Sequence, residues 1–215
     1  LGCWTLGGPN WFQGRSIGWA DIEEGEAIKA IHRAIELGVN HFDNADVYGN
    51  GKAERLLATA FKGRNEDILI STKMGHHPGT AAHAYEPQHI RHQCEQCLVN
   101  LNRETIDLFY FHHANFGKND RYLDGAIEVA DQLRKEGKIR ALGLSAYSVD
   151  DFLRIVPKLR PDVLQGHANI LHREFIDPEN PVAKMVKELN LSFVTFGPLS
   201  QGILLDKYSS KNPPE

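Results

Sequence analysis

The sequence predicts an α/β protein built as a closed (β/α)8 barrel, and three observations predict it. Short apolar runs with period-two alternation, at 39–45, 68–73, 106–113 and 139–145, alternate with segments whose apolar residues recur at helical spacing. Such alternation is the pattern of parallel strands joined by helical crossovers. Polar or ionisable residues, among them Asp43, Lys73, His112 and Ser145, mark the C-terminal ends of strands spread through the chain, which suits a barrel, whose chemistry gathers on one face. A doubly wound sheet satisfies the alternation too, but it would gather its ligand at one switch point, usually with a Gly-rich first turn. No Gly-x-Gly-x-x-Gly and no Walker pattern occurs in the sequence.

In order, residues 2–6 read as a short first strand before a Gly- and Pro-rich loop at 7–19 that carries Trp11, Phe12 and Trp19. From Ile22 to Leu37, Ala27, Ile28, Ile31, Ala34 and Ile35 recur at helical spacing, and Gly38 supplies the stop. The strand at 39–45 leads to a helix from Ala53 to Phe61, closed by Gly63. In the strand at 68–73, Leu69, Ser71 and Lys73 share one face and Ile68, Ile70 and Thr72 the other. A histidine-rich loop at 74–86 precedes Pro87, which suits a first helical turn because its missing N–H costs nothing there. Ile90, Cys94, Cys97, Leu98 and Leu101 then form one helical stripe. A strand at 106–113, a helix from Gly125 to Lys135, a strand at 139–145 and a helix from Val149 to Val156 follow. A strand at 163–168, a helix from Pro181 to Leu189 and a strand at 192–196 complete the series. The tally is about seven strands and six helices, so an eighth strand is expected beyond Glu215, after a tail at 209–215 that reads as disordered.

The 215 residues suit one domain, 1–215, with a sizeable core. Hydrophobic content of 41% with 24% charged residues is ordinary for a soluble globular chain, and no run of eighteen apolar residues suggests a membrane span. A formal net charge of −4 lacks the footprint of a dedicated nucleic-acid binder. The N-terminus lacks the charged and long apolar regions of a signal peptide. Three cysteines argue against a disulfide framework and fit a reducing compartment, so the expectation is a cytoplasmic protein.

The stretch at 39–49, Val-Asn-His-Phe-Asp-Asn-Ala-Asp-Val-Tyr-Gly, runs from a strand into a loop, and it lets the Asp43 carboxylate and the Tyr48 phenol project into one space. A carboxylate beside a phenol is one way a proton donor is tuned. On the strand at 106–113, Leu108, Tyr110 and His112 share a face, while Asp107, Phe109, Phe111 and His113 share the other. Phe109 and Phe111 suit burial against a helical shell, which leaves His112 pointing into the barrel.

Phe-Asp-Asn-Ala-Asp-x-Tyr-Gly at 42–49, Ser-Thr-Lys at 71–73, Ile-Asp-Leu-x-x-x-His at 106–112, Gly-Leu-Ser at 143–145 and Gly-Pro-Leu-x-x-Gly at 197–202 together resemble the aldo-keto reductase family. The resemblance implies a (β/α)8 barrel and an NADPH-dependent carbonyl reductase, with Asp43, Tyr48, Lys73 and His112 on the catalytic tetrad. Tyr48 would give the proton that a carbonyl needs after hydride addition. Lys73 would favour the phenolate, Asp43 would hold the ammonium, and His112 would orient the carbonyl. The resemblance also implies that Asp43, Ser145, Gln165, Phe196 and the loop Gly197, Pro198, Leu199, Gln201 and Gly202 contact NADP(H), with Ser145 and Gln165 on the nicotinamide carboxamide and Phe196 stacked on its ring. Trp4, Trp11 and His113 are candidates for the substrate pocket, and Cys3 falls beside Trp4. Two departures stand out: Ala146 replaces the Asn usual after the Gly-x-Ser, and Ala168 replaces a common aromatic before Asn169. Both would weaken cofactor binding. The basic residues that recognise the 2′-phosphate in this family would lie beyond Glu215, so the preference for NADP over NAD comes from the resemblance alone.

Other constellations have blander readings. Cys94-Glu-Gln-Cys97 lies on the helical apolar stripe and reads as core rather than as a redox or metal motif. Five of the eleven histidines fall between His76 and His92, without metal-ligand spacing at strand ends, so no metal is expected. The aromatic loop at 11–19 is either a lid on the barrel mouth or ordinary packing. The expected partner is a small carbonyl substrate, with no nucleic acid and no membrane. The alternative function is a non-enzymatic regulatory subunit that binds NADP(H) and senses redox state, as potassium-channel β-subunit relatives are thought to do. A metal-dependent hydrolase barrel is a third.

Overall fold

Residues 1–12, 14–20, 22–64, 67–206, 208, 209, 211 and 213 are described in the computed structural model, the side chain of Phe12 excepted. Phe12, as part of the aromatic loop, and Ser210, Asn212, Pro214 and Glu215 of the tail expected to be disordered therefore lie outside the described side chains or residues. The chain forms two compact units, 1–143 and 144–215.

In the first unit, residues 2–6 do not form the expected strand. Gly2 makes a single parallel bridge to Asp43, and Trp4–Gly7 then coils into a 3-10 turn. The turn is needed because Gly7 lies backbone to backbone on Tyr48 and Gly49: a Cβ on Gly7 would stand 2.6 Å from the Tyr48 carbonyl carbon. The loop at 7–19 contains a small antiparallel hairpin, β1 Trp11–Phe12 with β2 Arg15–Ser16. Helix α1, Glu24–Glu36, starts where the Glu23 carboxylate accepts from the Glu26 N–H at 2.8 Å, and it stops before Gly38 at φ +85. Strands β3 His41–Asp43, β4 Leu69–Met74 and β5 Ile106–Phe111 pair in parallel in sequence order, separated by α2 Lys52–Ala60 and α3 Pro87–Leu101. Helix α4, Leu123–Lys135, begins two residues before Gly125 and leads to β6, Ile139–Ser145, whose last two residues belong to the second unit.

Period-two burial positions the chemistry. Phe42, Ile70, Phe109 and Phe111 are buried apolar side chains, each stabilising by roughly 1.5–3 kcal/mol. Asp107 is also buried, and its charge is met by Arg103 at 2.6 Å and Arg140 at 2.8 Å while it accepts from the Ile70 N–H at 2.9 Å. That acid ties β4, β5 and β6 together at the end opposite the strand tips. Cys94 and Cys97 are buried free thiols, as their place on the apolar stripe predicts.

In the second unit, α5 Val149–Leu159 is capped by Ser148, whose hydroxyl accepts from the Asp151 N–H. It continues past Val156 through Pro157, close enough to its end that few backbone bonds are lost. Strand β7, Val163–His167, pairs in parallel with β8, Ser192–Phe196, across helix α6, Pro181–Glu188. Among the described residues no helix is long and apolar enough to cross a membrane.

Candidate active site

The β3–β4 register sets Asp43 beside Ser71, and Lys73 follows one pleat later on the same face. The Lys73 ammonium is buried and donates to Asp43 Oδ2 and to the Asn44 carbonyl oxygen, both at 2.7 Å. Ser71 donates to Asp43 Oδ1, also at 2.7 Å. Burial works against the ammonium, but the carboxylate and the Tyr48 phenol outweigh it, so Lys73 titrates above the ordinary lysine value.

Tyr48 is delivered by a loop that extends the ladder: Asn44 N–H donates to Ser71 O and Asp46 N–H to Lys73 O. Gly49, at φ +62, lets this loop close on the 3-10 turn; a Cβ there would meet the Gly7 carbonyl oxygen. The Tyr48 ring centroid lies 5.3 Å from Lys73 Nζ, and Trp4 stacks on the ring at 6.3 Å. His112 follows β5, where its N–H donates to Met74 O at 2.9 Å. Its ring stands edge-on to Tyr48, centroids 6.1 Å apart. Burial, with Lys73 and neighbouring histidines adding to it, holds His112 well below the ordinary imidazole value. A neutral ring with one donor and one acceptor results.

The first unit therefore brings Asp43, Tyr48, Lys73 and His112 together. Of the candidate pocket residues, Trp4 joins them. His113 does so only indirectly: its Nε2 donates to Gly75 O at 2.8 Å and its Nδ1 accepts from the Asn115 N–H at 3.2 Å, so both nitrogens are engaged. Trp11 stands 66% exposed on the hairpin. Two residues were missed by sequence reasoning. His76 lies 4.3 Å from His112 between ring centroids, and burial first, then His113, pushes it down to about 4. Tyr110 packs its ring 5.8 Å from Lys73 Nζ, with its hydroxyl unpartnered among the described residues. Only Tyr110 had a signal, its face shared with His112.

In the second unit, Ser145 and Gln165 are buried at the ends of β6 and in β7, and the Ala146 N–H donates to Gln165 O at 3.1 Å. Phe196 stacks on His167 at 5.4 Å, with Tyr147 edge-on at 5.7 Å. Gly197 at φ +67 opens a loop in which Gln201 and Gly202 are again left-handed, and Asn169 donates to Gly197 O at 2.9 Å. Leu199 is half exposed. Ala146 and Ala168, the two departures, are buried. His167 and Tyr147 are further residues that sequence reasoning passed over. Among the described residues, no group of three or more His, Cys, Asp or Glu could hold a metal ion.

This arrangement can hold a carbonyl oxygen between a phenol and a neutral imidazole. Comparison with known proteins gives the same family as the motifs. The chain is 28% identical over 211 residues to the uncharacterized oxidoreductase YqkF of Bacillus subtilis, covering 96% of this chain and 62% of that protein. It is 30% identical over 192 residues to the aldo-keto reductase yakc [NADP(+)] of Schizosaccharomyces pombe, covering 86% of this chain and 56% of that protein. The chain thus spans about three-fifths of the length of these relatives. Among solved structures, the holo form of aldo-keto reductase AKR11C1 from Bacillus halodurans superposes with a TM-score of 0.80 at 25% identity, covering 100% of this chain and 66% of that one. The fold is therefore that of a (β/α)8 barrel, represented here in part. The family model described as "Aldo/keto reductase family" matches residues 1–215, and the chain belongs to the aldo/keto reductase family.

Proposed function

We propose that residues 1–215 belong to one barrel domain of a reductase that transfers hydride from NADPH to an aldehyde or ketone, with Tyr48 as general acid. The observation that carries this reading is the buried Lys73 ammonium, held by Asp43 at 2.7 Å and set 5.3 Å from the centre of the Tyr48 ring. Tyr48 gives its proton to the carbonyl oxygen as the carbon gains hydride. The ammonium offsets the phenolate left behind, and Asp43 keeps that ammonium charged. Neutral His112 donates a hydrogen bond to the same oxygen and orients it. General acid catalysis of this kind contributes on the order of 10²–10⁴ in rate.

The second unit has groups that fit a nicotinamide nucleotide: a buried serine and glutamine for the carboxamide, the Phe196 face for the ring, and a glycine-bounded loop at 197–202 for the pyrophosphate. That nucleotide, when bound, supplies the hydride. The NADP named for the yeast relative supports NADP(H) here. NADPH deuterated at both C4 positions tests the reaction type. The label is expected on the carbinol carbon of the product alcohol by NMR; consumption of NADPH without label transfer contradicts the reading.

A further inference from the structure

One face of β3 and β4 carries a column of four polar side chains. His41 and Asp43 are two apart on β3, Ser71 and Lys73 are two apart on β4, and Asp43 and Ser71 are register partners. His41 Nε2 lies 2.9 Å from Ser71 Oγ, Ser71 Oγ donates to Asp43 Oδ1 at 2.7 Å, and Lys73 Nζ donates to Asp43 Oδ2 at 2.7 Å. Ser71 is fully buried, so water does not offer its hydroxyl an alternative partner. A serine hydroxyl has one proton and two neighbours compete for it here. The charged carboxylate is the stronger acceptor. The imidazole nitrogen facing Ser71 must then be the donor, which fixes His41 as the Nε2–H tautomer.

We propose that His41 and Ser71 are positioning residues for the Asp43–Lys73 pair. The imidazole aims the hydroxyl proton at Oδ1, the hydroxyl stops the carboxylate from rotating, and Oδ2 is presented to the ammonium. The consequence reaches Tyr48 because Asp43 is the largest influence that keeps buried Lys73 charged, followed by Tyr48 itself and, less, Cys3. The inference rests on the reading of Tyr48 as acid for its catalytic meaning, but the geometry of the column is independent of that reading. His41 sits at the half-buried end of the column, where its carbonyl oxygen accepts from the Leu1 nitrogen.

The test combines 15N NMR of the His41 ring, NMR titration of the Lys73 side chain without substrate, and steady-state kinetics, on the unaltered protein and on Ser71→Ala, Ser71→Thr and His41→Leu. His41 is expected as the Nε2–H tautomer. In Ser71→Ala the Lys73 titration moves down and kcat falls roughly tenfold with KM within about twofold, the size expected for a charge-assisted hydrogen bond. Ser71→Thr, which keeps the hydroxyl, restores both, and His41→Leu gives a smaller change in the same direction. An Nδ1–H tautomer in the unaltered protein overturns the proposal even if a variant fails to fold. An unchanged Lys73 titration in Ser71→Ala overturns it as well. Absence of turnover in every form, with the Lys73 shift present, would instead remove the reductase reading and leave the positioning intact.

Discussion

Replacing Lys73 by Met removes the ammonium and keeps most of the stem. In the folded protein that ammonium has two partners at 2.7 Å, Asp43 Oδ2 and Asn44 O, and its side chain is 1% exposed. Removing one partner of a buried pair leaves an uncompensated charge, at a cost of about 3–5 kcal/mol. Asp43 retains 19% side-chain exposure and the Ser71 hydroxyl, so the lower end, about 3 kcal/mol, is expected. Asp43→Asn is expected to cost a similar amount, because it leaves the buried ammonium without its carboxylate. The double variant removes both charges of the pair together, and its loss should fall short of the sum by at least about 1.5 kcal/mol. Urea unfolding at pH 7 measures all three. The pH is well chosen: Lys73 titrates above its unfolded value, so its contribution is fully present below the unfolded value and fades only as pH rises through the folded one. Turnover should fall by roughly 10²–10⁴ in either single variant. Losses that add within about 0.5 kcal/mol would refute the coupling between Lys73 and Asp43.

Three further variants or reagents probe other parts of the molecule. Burial raises the Asp46 carboxyl from 3.8 to about 7, and its Oδ1 has no partner among the described residues. The folded state thus binds the extra proton between about pH 4 and 7 and loses stability across that window; Asp46→Asn should gain about 2–4 kcal/mol at pH 8 and nothing near pH 4, read from urea midpoints. Gly143→Ala places a Cβ 2.2 Å from the Tyr110 ring, so a fall in thermal midpoint and a displaced Tyr110 resonance are expected. Cys94, pushed up to about 12 by burial, and Cys97, which burial also holds well above the ordinary thiol value, should resist iodoacetamide at pH 8 until the protein is unfolded.

Much of this was legible in the sequence because strands encode their faces in residue parity. Lys73 and Asp43 end strands whose alternation is clear, and the choice of His112 over His113 follows from the apolar neighbours Phe109 and Phe111. The structure adds that His113 is tied by both ring nitrogens, a fact set by Gly75 and Asn115 in loops with no periodicity. The first strand was misread because Cys3, Trp4 and Leu6 look apolar and extended, whereas the contact between Gly7 and Gly49, over forty residues apart, decides for a turn. Such long-range backbone contacts leave only isolated glycines as a trace. His76 was passed over for a similar reason: nothing in a histidine-rich loop distinguishes the ring that will lie on His112. Ser71 was placed on the right face, but its part in the column depends on the β3–β4 register, which a single chain of letters does not state.

The role of Tyr48 as proton donor is decided by NADPH fluorescence quenching on the unaltered protein and on Tyr48→Phe, with aldehyde reduction followed in parallel. NADPH binding of equal strength is expected in both, with turnover lost by roughly 10²–10⁴ in the variant alone. Equal turnover in the two proteins would contradict it, because the phenol oxygen is the only group the substitution removes.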